Sequence, residues 1–144
     1  MSVSPELDPA VSPSPERGPT ARVLLVYPGS LFGGDWAAGP RVKPELVALW
    51  SELRRGGLEV EVLDLEAELG LPRDDASRVA FLDAAEARLR DLSADLALVS
   101  FRSALQYSAS VAVAERVRRL HPGTVIAAHR SEERRVGKEC RSRW

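Results

Sequence analysis

The chain has 144 residues, 44 % of them hydrophobic, with a formal net charge of −1 and one cysteine. That balance fits a single domain and argues against a nucleic-acid binder of high positive charge. The lone cysteine excludes an internal disulfide framework, no Cys and His cluster has metal-ligand spacing, and no apolar run approaches the roughly 20 residues needed to span a bilayer.

The first twenty residues, MSVSPELDPAVSPSPERGPT, hold five of the ten prolines and four serines. With almost nothing apolar to bury, residues 1–21 read as a disordered leader. They lack the basic-then-apolar pattern of a secretory signal, so a cytoplasmic location is expected.

Order is expected to begin at RVLLVYP, where the apolar run Val23–Tyr27, stopped by Pro28 and Gly29, suits a strand buried on both faces. A glycine-rich loop follows, GSLFGGDWAAGPRV, whose Phe32 and Trp36 fit either a loop core or a lid. In KPELVALWSELRRGG, Pro44 suits the first turn of a helix. Leu46, Leu49, Trp50 and Leu53 follow helical spacing, Arg54 and Arg55 suit its end, and Gly56 and Gly57 stop it.

LEVEVLDLE alternates Leu58, Val60 and Val62 with Glu59 and Glu61, the pattern of a strand with one wet face at or near a sheet edge. From Asp75 a second amphipathic helix places Leu82, Ala85, Leu89 and Leu92 on one stripe. The run Leu96–Val99 is a third strand. YSASVAVAERVRRL is a third main helix burying Val113, Val117 and Leu120 and ending at HPG, and TVIAA starts a fourth strand.

The order βαβαβαβ with short turns predicts an α/β fold, a doubly wound parallel sheet of the flavodoxin-like or Rossmann-like kind with four strands and three main helices. Such sheets bind ligands outside the carboxyl ends of their strands, near the point where strand order reverses. That directs attention to Pro28–Val42 and Ser100–Tyr107.

A dinucleotide would call for Gly-x-Gly-x-x-Gly after the first strand, but Gly29, Gly33 and Gly34 have the wrong spacing; Asp64, at the end of the second strand, stands where a ribose-binding acid would. No Gly-Lys-Ser/Thr follows a glycine-rich turn, which removes a Walker-type phosphate loop. A phosphoryl-accepting receiver would need acidic residues where this chain has YPG and SFR.

The stretches RVLLVYPGS, VKPELVALWSELRRGGLEVEVLDLE and LALVSFRSALQYSASVAVAERVRRLHPGTVIA resemble the N-terminal cobalamin-binding domain found ahead of many radical S-adenosylmethionine enzymes. The likeness covers roughly 22–128 and rests on the whole pattern. It implies that Pro28, Gly29 and Ser30, with Ser100, Arg102, Ser103, Gln106 and Tyr107, lie under the corrin, whose amide arms and nucleotide tail suit hydroxyl, amide and backbone N–H partners beside an apolar wall. Ser100 could equally end a strand, Ser103 cap a helix, and Tyr107 pack on the sheet edge with its hydroxyl in water.

Members that bind cobalamin through a histidine carry Asp-x-His-x-x-Gly in the first loop. Here that loop reads GGDWAAG, so binding without histidine ligation is expected. The resemblance further implies a following βα unit and then a catalytic barrel whose Cys-x-x-x-Cys-x-x-Cys holds a [4Fe–4S] cluster and S-adenosylmethionine. With one cysteine this chain cannot supply that cluster, so it is expected to be a fragment lacking the catalytic domain. The alternative is a Rossmann-like nucleotide-binding domain or a non-catalytic interaction domain.

The last fifteen residues, RSEERRVGKECRSRW, resemble one translated frame of a short-read sequencing adapter at every position. Residues 130–144 are therefore set apart as an artefactual tail, and 22–129 as a partial cobalamin-binding domain. Removing the tail's six basic and three acidic residues from totals of 20 and 21 leaves 14 and 18, a net charge of −4, and no cysteine. The fourth strand is then expected to expose unpaired backbone groups, favouring edge-to-edge association and a poorly soluble product.

Overall fold

The computed structural model describes residues 20–32, 43–101 and 104–129. Nearly all of the leader, Gly33, Gly34, Trp36, Arg102, Ser103 and the tail 130–144 lie outside the described residues.

The elements run β1 (Arg22–Tyr27), α1 (Pro44–Arg55), β2 (Glu59–Asp64), α2 (Leu65–Leu69), α3 (Asp75–Arg90), β3 (Leu96–Ser100), α4 (Ala104–Leu120) and β4 (Val125–His129). The four strands form one parallel sheet in the order β2-β1-β3-β4, with helices on both faces, a doubly wound α/β fold. The order reverses between β1 and β3, as the strand and helix pattern predicts.

Alternation along each strand divides the core into two layers. On one face Leu24, Val26, Leu63, Ala97 and Val99 pack against Leu65, Phe81, Ala85, Leu89, Ala109, Val113 and Val117 from α2, α3 and α4. On the other, Val23, Leu25 and Tyr27 pack against Leu46, with Leu49, Leu53, Leu58, Val60, Leu96 and Leu98 at the margin. Among the described residues, three helices cover the first face and α1 alone covers the second.

Helix boundaries follow local chemistry. Pro44 begins α1 and basic Arg54 and Arg55 sit in its last turn. Asp74 and Ser77 form a reciprocal capping box at the start of α3: Ser77 N–H donates to Asp74 Oδ1 at 2.7 Å, and Asp74 N–H donates to Ser77 Oγ at 3.0 Å. The Ser77 side-chain bond and then its backbone bond hold the Asp74 carboxyl below the usual carboxylate range.

Four expectations are corrected in detail. Trp50 is 36 % exposed because it stands on the flank of the α1 stripe, where its ring lies under the Arg54 guanidinium. The α3 stripe is turned by one residue, with Phe81 buried and Leu82 at the margin. On β2, Val62 is exposed while Leu63 is 2 % exposed, because α2 and α3 cover the face on which only Glu59 and Glu61 were expected. The helix α2 was not anticipated at all.

Candidate functional site

The carboxyl ends of the strands gather the molecule's buried polar chemistry. Among the described residues the buried polar or charged side chains are Ser30, Lys43, Ser100, Gln106 and Ser110. All five lie at this end of the sheet, beside the reversal between β1 and β3. Buried polar groups persist only where they are satisfied, and here the partners of all but Ser30 form one chain.

Asp64 closes β2. Its Oδ1 accepts the Ala67 N–H at 3.0 Å and caps α2, while its Oδ2 accepts the Lys43 ammonium at 2.7 Å. Glu66 stands 3.9 Å from the same ammonium, which also lies 4.2 Å from the centre of the Tyr27 ring. Tyr27 closes β1, and its hydroxyl accepts the Gln106 side-chain N–H at 2.6 Å. Ser110, one turn further along α4, has its Oγ 2.9 Å from the Gln106 carbonyl and 3.0 Å from the carbonyl of Ser100, which closes β3. The ends of β2, β1 and β3 are thus tied together through α1 and α4.

The residues implied by the family resemblance divide into three groups. Pro28, Ser30, Ser100 and Gln106 are buried. Ser30 Oγ accepts the Phe32 N–H at 3.1 Å and lies 3.0 Å from the Leu105 carbonyl, joining the first loop to the start of α4. Gly29 has φ +71, a conformation that favours glycine, and a Cβ there would meet Glu66 Cβ at 3.2 Å. Tyr107 is 60 % exposed and meets Phe101 edge to face, with ring centres 5.8 Å apart. Arg102 and Ser103 lie outside the described residues.

Among the described residues, three large hydrophobic side chains at this end, Phe32, Leu105 and Tyr107, are exposed. Arg78 lies over the Phe32 ring at 5.1 Å and donates through Nε to the Leu31 carbonyl at 2.9 Å. The surface is an aromatic and aliphatic rim above a polar floor, and what it can do chemically is seat a largely apolar ligand. Beside it, Val99, Phe101, Tyr107, Val111 and Ile126 line an apolar cleft of ≈ 230 Å³ between α4 and β4.

The two histidines stand at opposite ends of the sheet. His121 Nε2 lies 2.7 Å from the Leu89 carbonyl, at the C-termini of α4 and α3 and so at the amino ends of the strands. His129 closes β4 beside Ser100. No group of three or more His, Cys, Asp or Glu among the described residues could hold a metal ion.

Sequence reasoning passed over Lys43, Tyr27 and His129 as site residues. Lys43 follows a glycine-rich loop and carries no sequence mark of burial. Asp64 was noticed as a strand-end acid, but both of its oxygens are taken by Lys43 and the α2 cap.

No helix among the described residues is long and apolar enough to cross a membrane. Comparison with protein-family models, curated proteins and solved structures found no match.

Proposed function

We propose that residues 22–129 are part of a cytoplasmic cobalamin-binding module from a radical S-adenosylmethionine enzyme, and that 130–144 are foreign to it. The observation that carries the reading is the polar floor and apolar rim gathered at the strand carboxyl ends, next to the β1/β3 reversal where doubly wound folds bind ligands. A corrin has broad apolar faces with amide-bearing edges. Phe32, Leu105 and Tyr107 suit its faces, and the main chain of Pro28–Ser30 suits its amides. Ser30, Gln106 and the main-chain carbonyl of Ser100 are engaged inside the protein, so their part is to shape the floor.

The iron–sulfur cluster and S-adenosylmethionine belong, on this reading, to a catalytic domain that this chain does not carry. The composition of β4, VIAAH, supports the partial character of the module, since it has the apolar makeup of an interior strand of a parallel sheet.

Equilibrium dialysis of the full chain against hydroxocobalamin tests the proposal. Saturable binding that falls with Tyr107→Ala is expected. Absence of binding by a folded chain overturns it and leaves the second reading, an interaction domain that takes no cofactor, which draws support from the internal hydrogen bonds of Ser30 and Gln106. Ligation without histidine is tested in the same titration: His121→Ala and His129→Ala should both leave the axial-ligand spectrum unchanged, and a change in either contradicts it.

A further inference from the structure

Lys43 has an unusual position for a lysine. Its side chain is 4 % exposed, although it sits at the start of a surface helix. Burying an ammonium is costly unless its charge is answered. Asp64 supplies a charge-assisted hydrogen bond at 2.7 Å, Glu66 adds a second carboxylate at 3.9 Å, and the Tyr27 ring offers its negative face at 4.2 Å. These neighbours hold the ammonium inside the protein. They make it a fixed post against which Tyr27 is held.

What Tyr27 does from that post is specific. Its hydroxyl accepts the Gln106 side-chain N–H at 2.6 Å, and Gln106 lies between Leu105 and Tyr107, two of the three exposed residues of the rim. Gln106 is also tied through Ser110 to the end of β3. A displacement of the Tyr27 ring therefore reaches the first turn of α4, where the rim is built.

We infer that Lys43 is a positioning residue of the strand-end site, acting through Tyr27 on Gln106 to set the first turn of α4. The inference rests on the strand-end rim being the ligand surface. Lys43 belongs to the β1–β2 half of the sheet and Gln106 to the β3–β4 half, so the relay spans the crevice where strand order reverses.

The test uses the full chain labelled with ¹⁵N, in dilute solution, and reads the Gln106 side-chain amide. Lys43→Met removes the charge while keeping an unbranched stem; Lys43→Arg keeps the charge; Leu49→Ala perturbs the same helix and core layer without removing a hydrogen bond or ion pair of the relay. The Gln106 amide signal should shift in Lys43→Met, return toward its original position in Lys43→Arg, and stay in place in Leu49→Ala. A Gln106 signal indifferent to Lys43→Met, or moved as far by Leu49→Ala, overturns the inference.

Hydroxocobalamin supplies the second readout. Its dissociation constant should rise about tenfold in Lys43→Met, the size of effect that losing an outer-shell partner has at metal sites. Unchanged affinity in that variant, with the parent chain binding normally, contradicts the inference alone. If the parent chain binds no hydroxocobalamin, the cobalamin reading falls and the Gln106 signal by itself decides the role of Lys43.

Discussion

The two edges of the sheet are built differently, and the difference shows how far this chain accounts for its own fold. β2, at one edge, carries Glu59 and Glu61 along an exposed stretch and then buries Leu63, which is 2 % exposed beneath the helices, before Asp64 ends it. Charged residues on an edge discourage pairing with another chain. β4, at the other edge, reads VIAAH, has no acid or lysine, and pairs only with β3 among the described residues. Its Val125 is 63 % exposed. The same asymmetry continues beside it: α1 packs over β1 and β2 on its face, whereas Leu96 and Leu98 of β3 are only partly buried there. β2 is a finished edge, and β4 has an interior strand's composition in an edge strand's place.

The largest effect that sharpens this contrast is on stability. Leu63→Ala at the finished edge should cost about 2–5 kcal/mol in chemical denaturation, the usual range for a buried leucine. Val125→Ala at the other edge should stay within about 0.5 kcal/mol. A large loss at Val125 would mean that β4 is buried against something in solution.

Next in size is self-association. The chain should form oligomers as concentration rises, and Ala128→Lys, which adds a charge to the open edge, should return it toward monomer in sedimentation velocity; Val62→Lys on β2 should change little. Equal effects at both edges would break the comparison.

The smallest effect lies away from both edges and serves as their control. Asp74→Ala removes half of the α3 capping box. Because the folded Asp74 carboxyl titrates below its ordinary value of 3.8, its contribution is present above that value and is lost as pH falls through the lower folded one. The difference in thermal stability between the parent chain and Asp74→Ala should therefore be full near neutral pH and close in acid. A gap that persists in strong acid would show that the cap acts without its charge.

The strands were legible because each is a short apolar or alternating run bounded by Pro, Gly or charge. α1, α3 and α4 were legible through helical spacing and their end residues. The helix α2 escaped because LEAEL is too short to display a period, and its start depends on a cap from Asp64, which reads equally well as the last residue of a strand. Phe81 replaced Leu82 in the α3 stripe because two adjacent apolar residues leave the stripe's rotation open until the partner helix is known.

The site was legible in place more than in detail. Strand ends and loops pointed to the carboxyl ends of the strands, and Gln106, Ser30 and Tyr107 lie there. That Gln106 points inward to Tyr27, and that Lys43 is buried, depend on pairings 79 and 21 residues apart in sequence. No local pattern encodes such distances.

The measurement that tests the account most directly is a long read of the source DNA across the codons for Ala127 to Ser131. The account predicts that the adapter-like bases vanish and that the frame continues through a further βα unit to Cys-x-x-x-Cys-x-x-Cys, making β4 an interior strand of a cobalamin-binding module. A genome that encodes RSEERRVGKECRSRW and then stops would contradict it, leaving β4 a true edge and the chain a small binding domain with a basic tail.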